Sequence, residues 1–150
     1  MVIERMNDRE SRELLARTNV ARLGCSLNNQ PYVVPIHVDY YDGFLYGFST
    51  LGQKIDWMRA NPLVCVEVDE LTSRRDWKSV VVFGIYEELT EEPEHAHARH
   101  DAQSLFQRHP VWWEPATVPI AGQQPRSPVL FRVLIQSLSG RRARSEDEEA

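Results

Sequence analysis

Between residues 20 and 28 apolar and polar side chains alternate. Ala21, Leu23, Cys25 and Leu27 fall on one face, and Arg22, Gly24, Ser26 and Asn28 on the other. A period of two belongs to a half-buried strand. Asn28-Asn29-Gln30-Pro31 then supplies turn residues, and 32–40 reads as a second strand. After Tyr41, the pair Asp42-Gly43 is a strong hairpin signal, and a third strand follows over 44–48. Residues 63–68 make a fourth strand and 79–86 a fifth, with the charged stretch 69–76 as the connection between them. Val80-Val81-Val82-Phe83 is apolar on both faces, which predicts a central position. Residues 129–138 form the last strand.

Helical spacing shows in three places. Residues 8–17 carry Leu14 and Leu15 for docking, with Asp8 or Ser11 as the cap. Leu51, Ile55 and Met58 put apolar groups on one side of a second helix, which stops before Pro62 because the residue preceding proline is pushed out of helical geometry. Pro93 opens a third helix reaching about Arg108, and 110–128 reads as an ordered, irregular, proline-rich loop. About six strands, joined mostly by hairpins, predict a small antiparallel barrel rather than a doubly wound sheet. Residues 1–140 form one domain. The stretch 141–150, three arginines followed by four acids, is expected to be a disordered tail.

Composition narrows the function classes. The chain has 150 residues, enough for one sizeable core, and 42% are hydrophobic. No apolar run approaches the length of a membrane span, and the N-terminal residues lack the core of a signal peptide, so a cytoplasmic location is expected. A net charge of −5 argues against nucleic-acid binding. Cys25 and Cys65 lie in strand-like runs without metal-ligand spacing and read as buried thiols.

Only two of the seventeen basic side chains are lysines, Lys54 and Lys78. Lys54 falls in the first turn of the second helix, where the helix dipole disfavours a cation unless an anion binds there. Ser49-Thr50-Leu51-Gly52-Gln53-Lys54 is therefore a candidate phosphate cradle; the plainer reading is a helix capped by Thr50 with Lys54 solvated. His97 and His100 share a helix face while His95 points nearly opposite, which favours a solvated face over a metal site. His37 is either a hydrogen-bonded barrel residue or part of a pocket lining. Trp77 opens the central strand, and Trp112-Trp113 sits in the proline-rich loop, suited to stacking on a flat ligand or to capping a subunit interface. Flavin mononucleotide and pyridoxal phosphate both combine a ring with a phosphate. With Lys54 on the phosphate only Lys78 is left for a Schiff base, so flavin is favoured.

The blocks Pro31-Tyr32-Val33-Val34-Pro35-Ile36, Leu45-Tyr46-Gly47-Phe48-Ser49-Thr50 with Gly52-Gln53-Lys54, Ala60-Asn61-Pro62-Leu63-Val64-Cys65 and Trp77-Lys78-Ser79-Val80-Val81-Val82-Phe83-Gly84 together resemble the pyridoxamine 5′-phosphate oxidase-like flavin-binding proteins. The likeness runs from about Val20 to Arg141 and lies near the branch containing nitroimidazole-resistance proteins. It implies a mainly β (α+β) fold: a six-stranded antiparallel split β-barrel with Greek-key character and a few short helices. It also implies a homodimer with flavin mononucleotide (FMN) in clefts at the interface.

By that resemblance Val34, Pro35, Ile36 and His37 lie against the flavin. Phe48, Ser49, Thr50, Gln53 and Lys54 hold the phosphate end, with Lys54 pairing the phosphate. Trp77, Ser79 and Val80 pass by the cofactor. His37 and Trp113 are, on this reading, the candidates for lining the substrate side. Phe48 stands near the place where nitroimidazole-resistance relatives tend to carry a histidine, and it can neither ligate nor protonate. Arg126 and Arg132 are the candidates for a substrate-phosphate site, or else surface charges. No side chain announces itself as the catalytic acid or base. The expected activity is an FMN-dependent oxidation–reduction of a small molecule; a deazaflavin-dependent reductase and a non-catalytic flavin or haem carrier or sensor are the alternatives.

Overall fold

The computed structural model describes residues 1–109 and 128–146. Residues 110–127, with Trp112, Trp113 and Arg126, lie outside them, so the loop reading and the role given to Trp113 concern undescribed residues. In chain order the elements are β1 (Val2–Met6), α1 (Asp8–Arg17), β2 (Val20–Leu27), β3 (Gln30–His37), β4 (Asp39–Tyr41), β5 (Phe44–Ser49), α2 (Gln53–Ala60), β6 (Leu63–Ser73), β7 (Asp76–Glu88), α3 (Ala96–Arg108) and β8 (Val129–Arg144). The eight strands form one antiparallel sheet in the order β3-β2-β6-β7-β8-β5-β4, with β1 added along β8. Its ends approach where β3 nears β5 but do not pair, so the barrel is split.

The hairpins follow from local chemistry. Asn28 and Asn29, then Asp42 and Gly43, take positive φ in two-residue loops, the conformation that matches the twist of the flanking strands. The expected strand over 32–40 is broken at Val38. Its N–H donates to the carbonyl of Asn19 at 3.0 Å, and beyond it the chain leaves β2 to pair with β5. The core inside the barrel holds Leu14 and Leu15 of α1, Ile55 and Met58 of α2, and the inward residues of β2, β6 and β7. A second cluster forms where Ala98, Ala102 and Leu105 of α3 cover Tyr46, Phe48 and Leu130.

Four expectations are corrected. Asn7, not Asp8 or Ser11, caps α1: its Oδ1 accepts from Glu10 N–H at 2.8 Å, and the Glu10 carboxylate reaches back to Asn7 N–H. Thr50 does not cap α2; Gly52 stands at that position and provides no side-chain bond, and Leu51 is exposed. The charged stretch 69–76 is a connection only at 74–75: 69–73 continue β6 and Asp76 opens β7, so that Glu70 faces Lys78 and Leu71 faces Trp77 across a hairpin. Opposite charges directly across a ladder support a strand that shows no hydrophobic alternation. Likewise residues 141–144 are strand, paired to β1 on one side and β7 on the other. Arg142 bonds Glu4 at 3.0 Å and Glu10 at 2.7 Å, and Arg144 bonds Glu4 at 3.0 Å. Those acids come from the far end of the chain, which is why the segment looks unstructured when read alone.

Candidate functional site

At the end of β5 the chain bends sharply into α2. Ser49 is fully buried and its hydroxyl donates to the Thr50 carbonyl at 2.9 Å. The first-turn N–H groups of α2 have no acceptor within the helix, and Gly52 at the cap position supplies no side-chain bond to them. Gln53 is exposed, whereas Lys54 is half-buried, and burial holds its ammonium below the usual lysine value. Burial pushes the Cys25 thiol up, Cys65 adds to that, and Lys54 pulls the other way. A partly desolvated cation beside the N–H groups of a helix's first turn is a donor set complementary to a phosphate. These residues fit the phosphate end of a flavin.

The predicted ring-side residues separate by depth. Pro35 is exposed and Val34 half-buried, while Ile36 and His37 are buried. Phe48 and Val80 are buried as well, and Trp77 and Ser79 are half-buried on the central strand. Where a side chain is buried, only the main chain is presented to a bound molecule. Of the two readings of His37, the structure shows the hydrogen-bonded interior residue. Its Nε2 lies 2.8 Å from Asp39 Oδ2, and its ring packs beside those of Phe48 and Phe106, which also meet each other edge to face. Asp39, 1% exposed, also accepts from Asn19 Nδ2 at 3.0 Å and contacts His109 Nδ1. On the α3 side, His95 Nδ1 accepts from Thr90 N–H at 3.1 Å, and His97 faces Asp101. Arg132 is tied to Glu87 at 3.1 Å and lies over the Phe44 ring.

A second feature has no counterpart in the sequence reading. Along β2, β6 and β7 the residues alternating with the core point to the opposite face, and there the strands form a groove of about 760 Å³. Every residue lining it belongs to a strand; none comes from α1, α2 or α3. Gly24 keeps the floor flat, since a Cβ there would stand 2.6 Å from Cys65 Sγ. Val33, Leu63 and Phe83 are 66%, 62% and 55% exposed on its walls. Phe83 therefore faces away from the core, although its run reads as buried on both sides. At one end Glu67 stands opposite Arg22 in the β2–β6 register, with Asp69 two residues on. Arg22 Nη1 reaches Asp69 Oδ2 at 3.4 Å, whereas Glu67 Oε1 is buried without a hydrogen-bond partner. The signal available for this group was the alternation itself, which puts Glu67 and Asp69 on one face beside Arg22.

An open antiparallel barrel with an anion-receptive helix start defines a class of protein, the split-barrel ligand binders. Within that class the chain belongs to the pyridoxamine 5′-phosphate oxidase family, whose model matches residues 7–142. It is 40% identical to an uncharacterized protein of Rhizobium meliloti over 146 residues, covering 95% of this chain and 97% of that one. It is 43% identical to a FAD-binding protein of Mesorhizobium loti whose crystal structure superposes with a TM-score of 0.80, covering 97% and 99% of the two chains. A 5-nitroimidazole antibiotic resistance protein of Bacteroides thetaiotaomicron shares the fold at 19% identity and a TM-score of 0.66, covering 94% and 89%.

Proposed function

We propose that the chain binds a flavin by its FMN moiety and carries out an oxidation–reduction on a small molecule, as a homodimer with the cofactor in the interface. The observation that carries this reading is half-buried Lys54 in the first turn of α2, behind a cap position occupied by Gly52. The kinship to a FAD-binding protein at 43% identity supports the same reading. A bound flavin supplies hydride acceptance and donation. The protein's part is to hold the phosphate at Lys54 and the first turn of α2, and to offer the main chain of β3 to the ring. The uncovered apolar groove supports assembly of two copies, because exposed contiguous apolar surface marks an interaction site. Two free thiols agree with a reducing, cytoplasmic compartment.

The test is reconstitution with FMN and with FAD in parallel, removal of excess, and an absorbance spectrum followed by anaerobic addition of a nicotinamide donor. Retained flavin that is reduced and reoxidised supports the oxidoreductase; retained flavin that stays oxidised makes the protein a carrier. FAD retained in place of FMN assigns the longer cofactor. A protein that holds neither overturns the reading.

A further inference from the structure

Arg5 and Arg141 stand directly opposite each other across the β1–β8 ladder, and both are exposed. Alternation assigns their side. The next pair, Met6 and Gly140, is buried, and the pair before, Glu4 and Arg142, lies on the side of α1, where Arg142 meets Glu10. The two arginines therefore point to the other face of the sheet, the one that carries Trp77 and Phe83. Directly opposite residues hold their Cβ atoms about 4.5–5.5 Å apart, and like charges so placed repel. Elsewhere the chain matches arginines to acids: Arg17 to Glu70 at 3.0 Å, Arg59 to Glu88 at 2.8 Å and Arg132 to Glu87 at 3.1 Å. Among the described residues no carboxylate pairs with Arg5 or Arg141. Nearby acids are taken, Glu4 by Arg142 and Arg144, Asp69 by Arg22, and Glu146 by the N-terminal ammonium. A repelling pair without an acid is a place short of an anion.

The surroundings indicate which anion. Arg141 has Ser79 as its register partner on β7, and Trp77 comes next on that face, half-buried and opposite Ala143. Trp77 is thus the diagonal neighbour of Arg141, within reach of long and aromatic side chains. Exposed Arg74 and Arg75 form the adjoining hairpin turn. None of these residues lines the groove. The Lys54 cradle follows Ser49, which pairs with Val129 at the other end of β8. We propose that Arg5 and Arg141 clamp the phosphate of a nucleotide monoester, with the Trp77 indole against its base, as a second anion site separate from Lys54. A phosphate monoester carries close to two negative charges near neutrality, which balances two guanidinium groups; a diester carries one. Each guanidinium offers a planar fork of N–H donors that fits phosphate oxygens. Binding also removes the repulsion between the arginines. A base stacks on an indole with little regard for its identity. The inference needs neither the flavin nor the homodimer.

The experiment is calorimetric titration of the full chain with adenosine monophosphate, adenosine and inorganic phosphate, at constant ionic strength. The proteins are wild type, Lys54→Ala, Arg5→Gln, Arg141→Gln and Trp77→Leu, each confirmed folded by circular dichroism. The expected result is that the monophosphate binds wild type and Lys54→Ala alike, and adenosine far more weakly. Each arginine variant loses roughly tenfold or more in affinity, the scale of a charge-assisted contact. Trp77→Leu weakens the monophosphate but not inorganic phosphate. Affinity unchanged in both arginine variants overturns the site. Affinity lost in Lys54→Ala alone places the anion at the cradle, which overturns this inference and supports the flavin reading. Monophosphate and inorganic phosphate bound equally well, with Trp77→Leu silent, overturns the nucleotide.

Discussion

His37 Nε2 and Asp39 Oδ2 meet at 2.8 Å with neither side chain reaching solvent. The carboxylate accepts a hydrogen bond from Asn19 before β2 and lies 2.8 Å from His37 Nε2 on β3, and His109, just past α3, touches it from the other side. This one group ties the barrel to the helix that closes its second core. Asp39→Ala strips buried polar groups of their shared partner and should destabilise the fold by about 2–5 kcal/mol, since each buried polar group left unmet costs about 1–3 kcal/mol. Denaturant unfolding measures it; a loss under ~1 kcal/mol would show that the cluster contributes little.

Lys54→Ala removes the charged donor from the start of α2 while leaving its buried residues Ile55 and Met58 in place. A charge-assisted phosphate contact is worth roughly 1.5–3 kcal/mol net, so flavin affinity should fall on the order of tenfold to a hundredfold. Fluorescence titration checks this, and an unchanged Kd dismisses the cradle.

The raised Glu67 carboxyl makes a sign prediction for stability. Folded protein binds its proton up to about pH 7, while the unfolded chain releases it near 4.5, the ordinary value for a glutamate. Between those limits the folded state holds more protons, so this group's stabilising contribution is complete below the lower limit and is lost as pH rises through the upper one. Glu70, beside Arg17, and Glu88, beside Arg59, are shifted down and act in the opposite direction. Comparing Glu67→Gln with wild type cancels those effects. The variant should gain thermal stability relative to wild type as pH rises from about 5 to about 8; parallel curves would remove Glu67 from the account.

Arg142 joins the two ends of the chain through Glu4 and Glu10. Arg142→Ala should cost about 1 kcal/mol, since the pair is only partly buried. Hydrogen exchange should locate the loss in Val2–Met6, the strand whose ladder with β8 those bonds support. Unchanged protection there would mean that backbone pairing alone holds β1.

The amino-acid sequence by itself determined what local chemistry controls: the alternation of β2, the two positive-φ turns, the stop of α2 before Pro62, and Gly52 and Lys54 at its start. The family resemblance was legible for the same reason, being carried by short runs whose order and spacing survive in the linear chain. What lay beyond it was decided by partners distant in sequence. Residues 141–144 become strand because Glu4 and Glu10 neutralise Arg142 and Arg144. The stretch 69–76 becomes a hairpin because Glu70 finds both Lys78 and Arg17. His37 is an interior residue because Asp39, Asn19 and His109 converge on one buried site. The groove is the clearest case. Phe83 and Glu67 look like a core aromatic and a surface acid, and only the pairing of β2, β6 and β7 turns both onto one uncovered face. A strand's pattern tells which residues share a side; the sheet decides whether that side meets core, water or another molecule.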